Sequence, residues 1–146
     1  MPELTVSTQI AAPAETVWAI LADFGDVSWI PVAGRVEVDG DGPGMSRAIY
    51  GSGDSPAIET MTSTDPDTMT LAYRITNNPL PVSRFEAVVS VREVEPAMPA
   101  SLVTWVVHYN PAGDSASEAK AARESVEAVY GMMAGWLADA ATQSPA

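Results

Sequence analysis

The chain has 146 residues, no cysteine, a single histidine, and 19 acidic against 7 basic residues, for a formal net charge of −12. That length fits one domain, able to build a core without cross-links. The composition excludes disulfides, thiolate catalysis and cysteine-ligated metal, and the charge repels phosphate backbones and anionic lipid surfaces.

Met1-Pro-Glu-Leu-Thr-Val carries neither a basic cluster nor an apolar leader, and no run approaches the ~20 apolar residues of a membrane span. A soluble, cytoplasmic protein is expected, with neither nucleic acid nor membrane as a partner. Residues 3–10 alternate, Leu4, Val6, Thr8 and Ile10 against Thr5, Ser7 and Gln9, which predicts a strand. Pro13 suits a first helical turn, and Val17, Ile20, Leu21 and Phe24 recur at helical spacing as far as about Asp23. Gly25 stops this helix, and Asp26-Val-Ser-Trp-Ile-Pro predicts a second short helical segment ending before Pro31.

From Arg35 to about Leu102 the pattern becomes a meander of hairpins. Its turns are marked by Asp39-Gly-Asp-Gly-Pro-Gly, Gly51-Ser-Gly-Asp-Ser-Pro, Asp65-Pro-Asp and Asn77-Asn-Pro. Met69, Leu71, Tyr73 and Ile75 share one face of a strand, and Phe85, Ala87, Val89 and Val91 one face of another. The last strand, near 101–110, is apolar on both faces, Leu102, Thr104, Val106 and His108 against Val103, Trp105, Val107 and Tyr109. One bulge would exchange those faces; the preferred register turns Thr104, Val106 and His108 toward the helix that follows. Ser115 or Ser117 caps that helix, which runs to about Ala140 with a stripe of Ala119, Ala122, Val126, Val129, Tyr130, Met133, Trp136, Leu137 and Ala140. Residues 142–146 read as a frayed tail.

This order predicts an α+β fold over residues 1–146. A curved antiparallel sheet of six to seven strands wraps around a long C-terminal helix, with two short helices after strand 1. Curvature leaves a cavity at one mouth. Ile10-Ala-Ala-Pro-Ala-Glu-Thr-Val-Trp-Ala-Ile-Leu-Ala-Asp-Phe, Gly44-Met-Ser-Arg47, Glu59-Thr-Met, Leu71-Ala-Tyr-Arg74 and Val103-Thr-Trp-Val-Val-His-Tyr-Asn-Pro111, taken in order, resemble the polyketide cyclase/dehydrase-like branch of the START/Bet v 1 (SRPBCC) superfamily. The resemblance covers essentially the whole chain. It implies the helix-grip fold, whose members carry or transform lipids, sterols, hormones and polyketides, and it does not choose among those activities.

Arg47 and Glu59 lie six residues either side of Gly53, so a symmetric hairpin sets them opposite each other, as a structural salt bridge or as groups that orient a polar ligand end. In the resemblance they match an Arg and a Glu on neighbouring strands, and relatives that bind a plant hormone use the matching Glu in a pocket network with water. His108 is the one residue that an imidazole mechanism could use, although a lone strand histidine is more often structural. Tyr73 and Tyr130 are candidate donors to a ligand carbonyl, and Trp29 lines or gates the mouth or packs as a staple. With Ile49, Met61, Leu71, Phe85, Ala87, Thr104, Val106, Val126 and Met133, Trp29 and Tyr130 make up the expected pocket lining. No metal-ligand pair, phosphate loop or nucleophile elbow is present, so neither metal nor cofactor is expected. The paired Cys and His residues of cluster-binding oxygenase relatives are missing, as is a constellation matching the aromatase/cyclases.

Three readings follow. The first is binding or transport of a small hydrophobic ligand that is a lipid, polyketide or isoprenoid-like molecule. The second is a cyclase, dehydratase or isomerase in which Arg47 and Glu59 polarise a carbonyl while His108 or Tyr73 moves a proton. The third is an interaction protein forming a homodimer through the Trp105/Tyr109 strand face.

Overall fold

Alternation of apolar and polar residues along the meander builds one antiparallel sheet whose two faces differ sharply in polarity. The computed structural model describes residues 3–31, 34–50, 56–77, 82–95 and 98–142. In chain order these form β1 (Glu3–Ile10), α1 (Ala14–Ala22), β2 (Val36–Asp39), β3 (Ser46–Ile49), β4 (Ala57–Asp65), β5 (Thr70–Asn77), β6 (Val82–Glu95), β7 (Met98–Pro111) and α2 (Ala116–Thr142). The sheet order is β1-β7-β6-β5-β4-β3-β2, with every neighbouring pair antiparallel. This is the helix-grip arrangement.

Register decides what faces the helix, because residues directly opposite in neighbouring strands share a face. One row runs Arg47, Glu59, Ile75, Phe85, Tyr109; the next runs Met61, Tyr73, Ala87, Val107, Leu4; a third runs Leu71, Val89, Trp105, Val6. α2 covers this concave face with Ala122, Val126, Tyr130, Ala134, Leu137 and Ala141, all buried at successive helical turns. Of the expected stripe, Ala119 is exposed, and Trp136 and Ala140 are half-buried.

The last strand has the opposite orientation to the preferred one. Ser101, Val103, Trp105, Val107 and Tyr109 are buried under α2, whereas Thr104, Val106 and His108 lie on the outer face. Phe85, Ala87, Val89 and Val91 of β6 decide this, since they pair with Tyr109, Val107, Trp105 and Val103. Burying one alternation therefore commits the other strand.

A second difference concerns residues 26–31, which turn instead of forming a second helix. The Asp26 carboxylate accepts the Ser28 N–H at 2.9 Å, and the Ile30 N–H bonds the Val27 carbonyl at 2.9 Å, so local bonds replace helical ones. The Asp39–Gly44 turn uses left-handed backbone at Gly40, Gly42 and Gly44. At the next turn Asp65 accepts the Asp67 N–H, and Met69 is left-handed at φ 49°. Of the expected tail at 142–146, Thr142 is the last residue of α2, its hydroxyl donating to the Ala138 carbonyl at 2.8 Å, and 143–146 lie outside the described residues, as do Met1, Pro2 and the expected turns at 51–55 and 78–79.

Two serines offer a contrasting test. The Ser115 hydroxyl caps α2 by accepting the Glu118 N–H at 3.1 Å while donating to its carboxylate at 2.9 Å. The Ser101 hydroxyl is buried beneath the sheet with no partner among the described residues. In urea unfolding, Ser115→Ala is expected to cost about 1 kcal/mol. Ser101→Ala is expected to be neutral or stabilising, because it removes a desolvated orphan; a loss as large as that of Ser115→Ala would show that the hydroxyl is satisfied in solution.

Candidate functional site

An apolar core needs no polar side chains, so the polar groups found inside this one mark a site. β3 points Arg47 inward, where it is only 6% exposed, and the antiparallel register sets Glu59 of β4 directly opposite. Nε and Nη2 of Arg47 both donate to one Glu59 oxygen, at 2.9 and 2.6 Å. Nη1 donates to the Phe24 carbonyl just beyond α1, at 2.7 Å, and the guanidinium carbon lies 3.9 Å from the Phe24 ring centroid. All three guanidinium nitrogens are therefore engaged, and Arg47 ties the sheet to the segment that follows α1.

Tyr73 of β5 and Tyr130 of α2 meet beside this pair, with their hydroxyl oxygens 2.6 Å apart. Phe85 stacks on Tyr130 at 6.0 Å between centroids, Trp105 tilts against it at 5.8 Å, and Phe24 tilts against Tyr73 at 6.2 Å. Burial pushes both phenols up from their ordinary value, and nearby charge adds to this, from Glu59 at Tyr73 and from Tyr73 and Glu59 at Tyr130. Both are thus protonated, neutral hydrogen-bond donors around neutral pH.

Leu21, Phe24, Trp29, Arg47, Leu71, Tyr73, Val89, Trp105 and Met133 line a void of about 10 Å³. That is the threshold for one water molecule. Among the described residues the expected roomy cavity is therefore reduced at this point to a narrow void, crowded by Phe24, Trp105 and Met133. Among the sequence candidates, Arg47, Tyr73, Trp29, Leu71 and Met133 border the void; Met61, Phe85, Ala87, Val126 and Tyr130 belong to the surrounding core. Ile49 is half-buried on β3 and does not border it.

Three candidates lie elsewhere. His108 pairs with Glu3 at 3.5 Å on the outer face and is 39% exposed, Thr104 lies 3.2 Å from the Ser7 hydroxyl, and Val106 sits between Thr5 and Val88. A depression of about 270 Å³ on that face is bordered by Thr62, Ala72, Glu86, Val88 and His108, and by Tyr73 and Ala87, whose buried side chains belong to the core. His108 is therefore separated from Arg47, Glu59 and Tyr73 by the thickness of the sheet.

Leu21, Phe24 and Val89 border the void without having been singled out, and Trp105 borders it although it was expected on a dimer face. The sequence did carry a signal for them. Leu21 and Phe24 stand on the α1 stripe and Val89 shares the alternation of Phe85 and Ala87, while Trp105 depended on the register of β7.

Two measurements follow from this geometry. Glu59→Gln leaves the Arg47 charge buried without its counter-charge and is expected to cost about 3 kcal/mol in urea unfolding; a cost near zero would mean that water reaches the guanidinium. The folded state holds the Tyr73 and Tyr130 protons above the unfolded value near 10, so stability is full below about pH 10 and falls as pH climbs through the folded values. Phenolate absorbance from these two residues should appear only together with alkaline unfolding; early, reversible titration of all four tyrosines in the folded protein would contradict their burial.

Among solved structures, an uncharacterized protein from Bacillus thuringiensis superposes with a TM-score of 0.83 at 23% identity, over 97% of this chain and 100% of its own. Ara h 8.0201 superposes with a TM-score of 0.78 at 15% identity, covering 98% and 99% of the two chains. Norcoclaurine synthase from Thalictrum flavum, in complex with dopamine and hydroxybenzaldehyde, gives 0.78 at 13% identity, over 99% and 88%. At these identities the likeness shows the Bet v 1 helix-grip fold alone. No curated protein matches the sequence. The family described as "Polyketide cyclase / dehydrase and lipid transport" matches residues 1–142, and with the interior site on the concave face of a helix-grip sheet, the chain belongs to that family.

Proposed function

We propose that this protein binds a small hydrophobic molecule between its sheet and α2, and that it carries or sequesters that molecule in the cytoplasm. One observation carries the reading: Arg47, Glu59, Tyr73 and Tyr130 gather beside the void in a core that is apolar apart from them and Ser101 among the described residues. Packing alone would be served as well by apolar residues, and burying such groups costs stability unless each is paired. A site that must orient one polar end of an apolar molecule needs such groups.

A ligand of ordinary size takes about 300–1,000 Å³, so binding at this void requires it to expand. Trp29, half-buried on the 26–31 turn, and Met133, with its adaptable thioether, are the side chains best placed to give way. Phe24 is held more firmly, by its carbonyl and its ring, on Arg47.

The same groups support a second reading, an acid/base enzyme of cyclase, dehydratase or isomerase type. What favours it is the protonated Tyr73 phenol facing the void beside the Arg47–Glu59 pair. His108 takes no part, because it lies on the outer face. A dimer through Trp105 and Tyr109 loses its surface, since both are buried under α2.

Native mass spectrometry of protein purified from its own host, followed by release of any bound molecule, is expected to yield a discrete apolar adduct. A clean mass, with no thermal shift across a panel of lipids and aromatic polyketides, would count against binding. Turnover of a released ligand that is lost in Tyr73→Phe while binding persists would favour the enzyme; unchanged turnover would remove Tyr73 from that role.

A further inference from the structure

The chemistry of the interior narrows what it accepts, and this narrowing rests on the binding reading above. Among the described residues Arg47 is the one buried charged side chain, and Glu59 matches its charge at 2.6 Å. Three of its five N–H protons, one on each nitrogen, go to Glu59 and the Phe24 carbonyl, its charge is balanced by Glu59, and the Phe24 ring covers one face of the guanidinium. An entering carboxylate would find no unmatched cation, and an entering ammonium no unmatched carboxylate. Either ion would lose its hydration without compensation.

The phenol pair differs. Two hydroxyls hold two protons, and their mutual bond at 2.6 Å uses one of them, whichever oxygen donates. The second proton has no protein acceptor among the described residues. Of the two phenols, Tyr73 borders the void.

We propose that the interior selects an uncharged molecule whose polar end is a hydrogen-bond acceptor, such as a ketone, aldehyde or ether oxygen on an apolar body, with Tyr73 donating the bond. Arg47 then acts as a structural tie between β3 and the Phe24 segment and not as the ligand's anchor. The acceptor oxygen takes the place of the single water that the void can hold, and the hydrophobic body displaces Trp29 and Met133. Selection against charge and selection for an acceptor thus come from different residues, the first from the closed Arg47–Glu59 pair and the second from Tyr73.

Three probes sharing one ring system separate these effects: 2-acetylnaphthalene, 2-ethylnaphthalene and 2-naphthoate, measured by equilibrium dialysis against the full chain. In the unsubstituted protein the ketone is expected to bind about tenfold more tightly than the hydrocarbon, the ratio that one hydrogen bond of ~1.4 kcal/mol supplies. The carboxylate should bind at least about tenfold more weakly than the ketone. Tyr73→Phe keeps the ring and should reduce the ketone's advantage to about twofold or less while ethylnaphthalene still binds. Tyr130→Phe leaves the Tyr73 proton in place and should preserve that advantage, so the pair of variants separates loss of a donor from loss of packing. Naphthoate binding as tightly as the ketone, or an acceptor advantage that survives Tyr73→Phe, would overturn the selection. Failure of all three probes to bind would instead overturn the interior-binding reading itself, a result distinguishable by the silent hydrocarbon.

Discussion

Seven antiparallel strands lay successive apolar rows on one concave face, and the need to cover that face governs the rest of the molecule. α2 meets the need with buried positions from Ala122 to Ala141, spaced so that each turn sets one side chain against the sheet. Three of those six positions are alanine, which lets the helix axis approach the strands closely, and Tyr130 is the aromatic exception. Its hydroxyl can be tolerated at that depth because β5 presents Tyr73 at hydrogen-bond distance. Helix placement, sheet register and the central polar contact are therefore one solution to one packing problem.

Ser101 aside, the interior is arranged so that each buried charge or hydroxyl described above has a partner from a different part of the chain. Arg47 joins β3 to β4 through Glu59 and to the end of α1 through the Phe24 carbonyl, and Tyr73 joins β5 to α2. Such contacts add less net stability than well-packed hydrocarbon of the same volume, because desolvation offsets most of their attraction. What they add is specificity of position: a slipped β3–β4 hairpin would strand a guanidinium in an apolar core. The same arrangement leaves the molecule with an interior whose polar middle is already organised.

Much of this was legible in the sequence. The alternation of β1 and the stripes of α1 and α2 follow from local periodicity, the turns at 39–44 and 65–67 from their glycine, proline and aspartate residues, and symmetric spacing about Gly53 sets Arg47 opposite Glu59 although the hairpin tip lies outside the described residues. The faces of β7 were not legible, because Leu102 and Val106 are as apolar as Val103 and Val107 and only the partner strand breaks the tie. Thr104, Val106 and His108 fell on the wrong side for that reason. The segment after α1 misled through its helical spacing, which the Asp26 side chain overrides with a local turn. The size of the void was beyond any pattern, since it depends on how Phe24, Trp105 and Met133 interlock at the scale of an ångström.

The pairing of β1 with β7 carries a consequence for how the molecule comes into being. Ser7 and Thr104 touch across 97 positions of sequence, whereas the partners along β3 to β6 are joined by short hairpins. During synthesis the first strand leaves the ribosome long before its partner exists, and the meander can pair while β1 has no edge to join. The closing of a loop of that length, and with it the docking of α2, falls last and slowest. Until then the apolar face of the sheet is open to water, so the nascent chain passes through an interval in which its net charge of −12 serves as its own guard against association with other copies.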